Sequence, residues 1–286
     1  MEASKSNFQG RSNSLPSRPH PLILECNQHL ESLRASSETS SSNSSFLSHN
    51  IRGLQDLIEC VEKLIQLPLT QDTLLHEQKE KWNFLDGSLR LLDVCASAKD
   101  ALLHTKECTR ELQSIIRRRR GGELELMAEA KKFLTSRKVV KRAISKSLSK
   151  NCNFFSSTNK DHHQTVALLQ DVEVATLSSF QKLMQFISGT TTTTQSKSRS
   201  WIFISKMIQP KRVACSLVED ESEFAQGDVA LQSFIFSKNG KVEEVNNLQN
   251  QLEKLELCIQ DIEEGLEFLF RRLIKIRVSL LNILNH

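Results

Sequence analysis

The chain has 286 residues, 25% charged and 38% hydrophobic, with a formal net charge of +4 and a pI of about 8.6. That balance suits a globular body with a buried core and excludes a wholly disordered chain, and the charge is too mild for nucleic-acid binding along the whole length. Nine glycines, five prolines and no tyrosine among 6% aromatics are too few turn and strand formers for a sandwich or barrel, so a mostly helical, soluble, intracellular chain is expected.

Residues 1–20 read as a disordered, basic, serine-rich tail. Residues 3–20 hold Lys5, Arg11 and Arg18, five serines and no acid. Organelle transit peptides share that composition, and targeting by this segment stays open; the missing amphipathic pattern favours a plain tail. Within it, Arg11-Ser12-Asn13-Ser14-Leu15-Pro16 has the form R-S-x-S-x-P, which resembles the phosphoserine ligand of 14-3-3 proteins. Phosphate on Ser14 would add nearly two negative charges for an arginine cluster to grip, and Pro16 would turn the chain away. An unmodified tail is the alternative, since short motifs arise by chance in such segments.

Residues 21–286 read as one helical bundle domain with an internal break near 151–160. Pro21 suits a first turn, and Leu22, Ile23, Cys26, Leu30 and Leu33 suggest a short first helix. Residues 36–45 form a polar linker. Leu47, Ile51, Leu54, Ile58, Val61 and Ile65 mark a second helix that Pro68 ends. Thr70 and Gln71 open a third helical region toward Arg120, with Leu91, Cys95, Ala98, Leu102, Thr105, Thr109, Leu112 and Ile116 as its seam. Gly121-Gly122 is a break or cap.

A basic helix is expected over roughly 123–150. Arg117, Arg118, Arg119 and Arg120 precede it, and Lys131, Lys132, Arg137, Lys138, Lys141, Arg142, Lys146 and Lys150 crowd its second half without one acid. Phe133, Val140, Ile144 and Leu148 give it an apolar side. Such a helix suits an anionic membrane surface or a calmodulin-type groove; the competing reading is a solvated outer face whose apolar side packs in the bundle. Nucleic acid is not expected, because aromatic platforms and a recognised module are missing.

A helix over about 161–187 follows, with Asp161 as its N-cap. Adjacent His162 and His163 diverge by about 100° on a helix, so they do not form a metal site. Gly189 and a threonine run at 190–194 make a loop, and shorter helices are expected over 199–240. The last helix has the clearest pattern: from Val245 to Ile283, twelve apolar positions recur at spacings of 3 and 4. Leu252, Leu255, Ile259, Ile262, Leu266, Leu269 and Leu273 are its central seam. Phe268, Phe270, Ile274, Leu281 and Leu284 widen that face, which favours packing inside a bundle over a homodimeric coiled coil. Arg271, Arg272, Lys275 and Arg277 should line its solvent side, and the glutamate pairs at 243–244 and 263–264 should be solvated. The fold class is therefore all-α, an elongated bundle of about six or seven helices with a long C-terminal heptad helix.

Seven scattered cysteines without a CxxC indicate neither a disulfide framework nor a zinc site. No uncharged apolar run reaches the length of a membrane span. No phosphate-binding, serine-hydrolase or zinc-protease motif occurs, so no enzyme, cofactor or metal is expected.

The segments SLPSRPHPL (14–22), IQLPLTQ (65–71), LDGSLRLLDVCASAKDAL (85–102), ELQSIIRRRRGGE (111–123), KRVAC (211–215) and the stretch from Cys258 to His286 resemble a plant-specific family of helical proteins. That family is related to the BYPASS-type proteins of plant development. One departure is the short link Asn83-Phe84, where the family has a longer acidic-apolar connection; a deletion there would call for a kink or loop. The resemblance implies a helical, non-enzymatic interaction protein without a cofactor, acting in root and shoot development. Some relatives are linked to vesicle tethering, which implies as alternative a peripheral membrane regulator of trafficking. Protein partners in the cytoplasm, or at its membrane surfaces, follow from either reading; oligomeric state does not.

Overall fold

The computed structural model describes residues 20–38, 44–76, 78–118, 123–151, 164–189, 221–237 and 242–285. Eight α-helices occupy them: α1 Pro21–Glu38, α2 Ser44–Ile65, α3 Pro68–His76, α4 Gln78–Arg118, α5 Glu123–Asn151, α6 Gln164–Ser188, α7 Glu223–Phe236 and α8 Val242–Asn285. No strand occurs among the described residues. The protein is all-α, as composition and periodicity predict. The region expected to run from Thr70 to Arg120 is two helices, α3 and α4. The Asn83-Phe84 link needs no loop, because α4 runs through it. The tail with Arg11, Ser14 and Pro16, the residues Arg119–Gly122, the Asp161-His162-His163 cluster and the threonine run lie outside the described residues.

The long α8 is the axis. At ~1.5 Å per residue its 44 residues span roughly 66 Å. Side-chain pairs set the direction of its neighbours. Lys99–Glu267, Lys106–Glu263 and Arg110–Glu256 run in opposite numerical order, so α4 is antiparallel to α8. Gln55 to the Gly265 carbonyl, Glu62 to Arg272 and Gln66 to Ser279 run in the same order, so α2 is parallel to it. α7 covers a further stretch of α8. Every seam residue from Leu248 to Ile283 is buried, and Leu248, Leu252, Ile259 and Leu266 are fully so. Cys258 and Gly265, beside the seam, are buried as well, which makes the face too wide for a two-helix partner. A methyl group on Gly265 would stand 2.5 Å from Ile51 Cγ2; the missing side chain lets α2 and α8 approach.

The other helices close around this axis. Ser36 Oγ donates to Asn50 Oδ1 at 2.9 Å, joining α1 to α2, and Arg34 reaches Asp171 of α6 at 3.4 Å. Arg90 of α4 pairs with Glu173 of α6. α6 runs out into one left-handed residue. Gly189 has φ +66°, and its N–H donates to the Phe186 carbonyl at 3.0 Å. A Cβ there would meet Ala225 N at 3.1 Å, so glycine answers both the backbone and the close approach of α7. Ser222 caps α7, its Oγ accepting from Ala225 N–H at 3.2 Å.

The five described cysteines are free and buried. Burial pushes the Cys95 thiol up to about 12, so almost no thiolate exists near neutrality. In native protein at pH 8, Cys95 should resist maleimide and label only with global unfolding; mass spectrometry after brief labelling checks this.

Candidate basic interaction surface

α5 sorts its cations by helical position. Ala130, Phe133, Arg137, Val140 and Ile144 recur at spacings of 3 and 4 and are all buried. Arg137, one of the eight cations of the basic stretch, fills a gap in this apolar stripe and is 1% exposed. It is held from several sides. Nε donates to Asp228 Oδ1 at 2.9 Å and Nη2 to Oδ2 at 3.3 Å. Nη2 also donates to the Ile187 carbonyl at 2.8 Å, at the negative end of α6, and Nη1 to Thr105 Oγ1 at 3.4 Å. The guanidinium lies 5.2 Å from the Phe224 ring centre. Lys141, half-buried, sends its Nζ to Asp228 Oδ2 at 2.7 Å. Arg137 and Lys141 thus join α5 to α7 internally. Asp228 itself stands on the buried face of α7, between Phe224 and Leu231.

The remaining cations divide into paired and unpaired. Lys132 pairs with Glu111 of α4 at 2.8 Å and Glu129 at 3.1 Å. Its hydrogen bond to Glu111, then that to Glu129, raises its pKa. Lys131, Lys138, Arg142, Lys146 and Lys150 are exposed, and none has an acidic partner among the described residues. They occupy roughly 120° of helix circumference over about 29 Å of length. Arg117 and Arg118 are exposed at the end of α4, with Arg118 Nη2 donating to Ser114 Oγ at 2.8 Å.

The cations of α8 work mostly between helices rather than along a solvent side. Arg272 bridges Glu59 and Glu62 of α2, and Arg277 Nη1 donates to the Leu85 carbonyl at 2.7 Å and Ser88 Oγ at 3.0 Å. Arg271 stays exposed and pairs with Glu267 at 2.8 Å. Glu263, expected in solvent, pairs with Lys106 of α4. Hydrogen bonds from Lys99, then Arg271, hold Glu267 below the ordinary carboxylate range. Two open grooves flank these ladders. The larger, about 850 Å³, is lined by both signs of charge, including Lys99, Lys106, Glu263 and Glu267. The smaller, about 390 Å³, is lined by Arg110, Gln113, Ser114, Arg117, Arg118 and Glu256.

Among the described residues, no helix is long and apolar enough to cross a membrane. Searches of curated proteins and of solved structures found no match. The family profile described as Protein BPS1 matches residues 50–283, from within α2 to near the end of α8. Most of the chain, including every helix of the charge ladders, thus falls inside one family pattern, and the protein belongs to the BPS1 family of BYPASS-type proteins.

Proposed function

We propose that this chain is a non-enzymatic helical interaction protein of the plant cytoplasm, acting in root and shoot development, whose working surface is the outer stripe of α5. One observation supports the interaction role. Lys131, Lys138, Arg142, Lys146 and Lys150 form an exposed row of one sign without acidic partners among the described residues. Like charges so arranged repel one another, and an acidic protein surface relieves that repulsion and gains steering. The opposite side of α5 is packed in the core, so the row is presented on a rigid frame. Family membership supports the developmental setting. Phosphorylation of Ser14, between Arg11 and Pro16, adds a 14-3-3 ligand to the same scaffold.

The triple variant Lys138→Glu/Arg142→Glu/Lys146→Glu tests this in the full chain. Helical content by circular dichroism should hold, while partners recovered from plant tissue by affinity purification should fall away, as they should for the parent when salt is raised. Partners retained by the reversed-charge variant at all salt concentrations would end the reading.

The same row favours a second reading, a peripheral membrane regulator of vesicle trafficking. Each cation near an anionic leaflet contributes about 1 kcal/mol. Because Phe133, Val140 and Ile144 are buried, contact would be electrostatic, with no apolar face inserted. Flotation on vesicles with and without phosphatidylserine separates the two readings: the second requires binding only to the anionic vesicles, abolished by salt.

A further inference from the structure

The smaller groove between α4 and α8 combines features that the α5 stripe lacks. Arg110, Arg117 and Arg118 line it against one carboxylate, Glu256. Three guanidiniums against one carboxylate leave two positive charges, which matches the roughly −1.5 to −2 carried by a phosphate monoester near neutrality. Arg110 gives Glu256 only its Nε, at 3.0 Å. Arg118 donates to Ser114 Oγ through Nε at 3.3 Å and Nη2 at 2.8 Å. That oxygen is therefore an acceptor, and its own O–H remains to be donated.

Gln113 is the second, independent observation. It is 3% exposed, it forms part of the groove wall, and its Nε2 is buried without a hydrogen-bond partner. A buried donor left unmade costs about 1–3 kcal/mol. Its terminal torsion is soft, so the amide can reorient when a ligand enters the groove that Gln113 helps to line. A phosphoryl oxygen there would satisfy it. Arginine forks suit phosphate in particular, since they donate paired, charge-assisted hydrogen bonds. The groove's volume of about 390 Å³ falls in the range of small-molecule sites.

We propose that this groove binds a phosphate monoester, free or as a lipid head group, through Arg110, Gln113, Ser114, Arg117 and Arg118. The site is separate from the α5 stripe and stands whether or not that stripe takes an acidic partner.

Calorimetric titration of the full chain with inositol trisphosphate tests it. Parallel sedimentation uses phosphatidylcholine vesicles with and without phosphatidylinositol bisphosphate. The parent should bind one head group saturably. Arg117→Ala/Arg118→Ala should weaken binding about tenfold or more. Gln113→Leu should also weaken it, at unchanged net charge, while thermal stability holds or rises because the buried unpaired amide is gone. Lys138→Ala/Arg142→Ala, on the α5 stripe, should leave this affinity nearly unchanged. Binding of the soluble head group assigns a free ligand; binding that needs the vesicle assigns a lipid, with the same two groove variants losing it. Unchanged affinity in either groove variant, equal loss in the α5 variant, or no binding of either probe overturns the proposal.

Discussion

Replacing Asp228 with alanine should destabilise the fold by roughly 3–5 kcal/mol, the cost of leaving a buried charge without its partner. The stranded group is Arg137, 1% exposed and bonded by both Nε and Nη2 to that carboxylate. Its remaining hydrogen bonds, to the Ile187 carbonyl and Thr105, carry no counter-charge. The readout is a lower urea midpoint at nearly unchanged slope. Lys141→Ala should cost less, under about 1 kcal/mol, because its side chain is 34% exposed and its attraction is screened. The joint change Arg137→Met/Asp228→Leu should recover most of the loss, since an apolar pair of similar volume removes both desolvation costs. A midpoint for Asp228→Ala within about 0.5 kcal/mol of the parent would show that α7 docks without the pair.

That ion pair also marks where reading the sequence stops. The α8 stripe is legible because each apolar position repeats the same preference, and errors at one position are outvoted by the rest. The same holds for α2 and for the Leu91–Ile116 seam of α4. Arg137 counts by charge with its neighbours and by position with its stripe, and charge alone does not say which side of the helix it takes. Ala130, Phe133, Val140 and Ile144 leave a gap at 137, and a helix fills each gap with whatever residue stands there. Asp228 gave the matching signal, one acid on the Phe224–Leu231 face of a short apolar helix. What the sequence could not supply was their pairing across 91 residues, which depends on how α5 and α7 dock. Glu263 and Arg272 were misjudged for the same reason, since a charge beside a seam meets solvent or a neighbouring helix according to tertiary packing. The Gln113 groove had no linear signature either. Glutamine beside a helical seam is unremarked until α8 is laid against it.

Leu266→Ala should cost about 2–5 kcal/mol, the range for a large core side chain cut back to a methyl group. Leu266 is 0% exposed at the centre of α8, and Cys95 Sγ on α4 donates to its carbonyl at 3.8 Å. Beside it, Gly265 admits Ile51 of α2 at close range. Two neighbouring helices thus enclose the position, and neither can collapse into the cavity without disturbing the other's ladder. Leu257→Ala removes the same atoms from the same helix, but that side chain is 66% exposed, and the change should fall within about 0.5 kcal/mol. Identical chemistry with opposite outcomes separates packing from helix propensity, which alanine favours in both cases. The comparison also tests where the seam's partners come from. With α2, α4 and α7 of the same chain covering it, the parent's melting temperature should not rise with protein concentration, as it would for a dimer held together through α8. Equal losses at the two leucines, or a concentration-dependent melt that Leu266→Ala abolishes, would place the partner of α8 in a second chain.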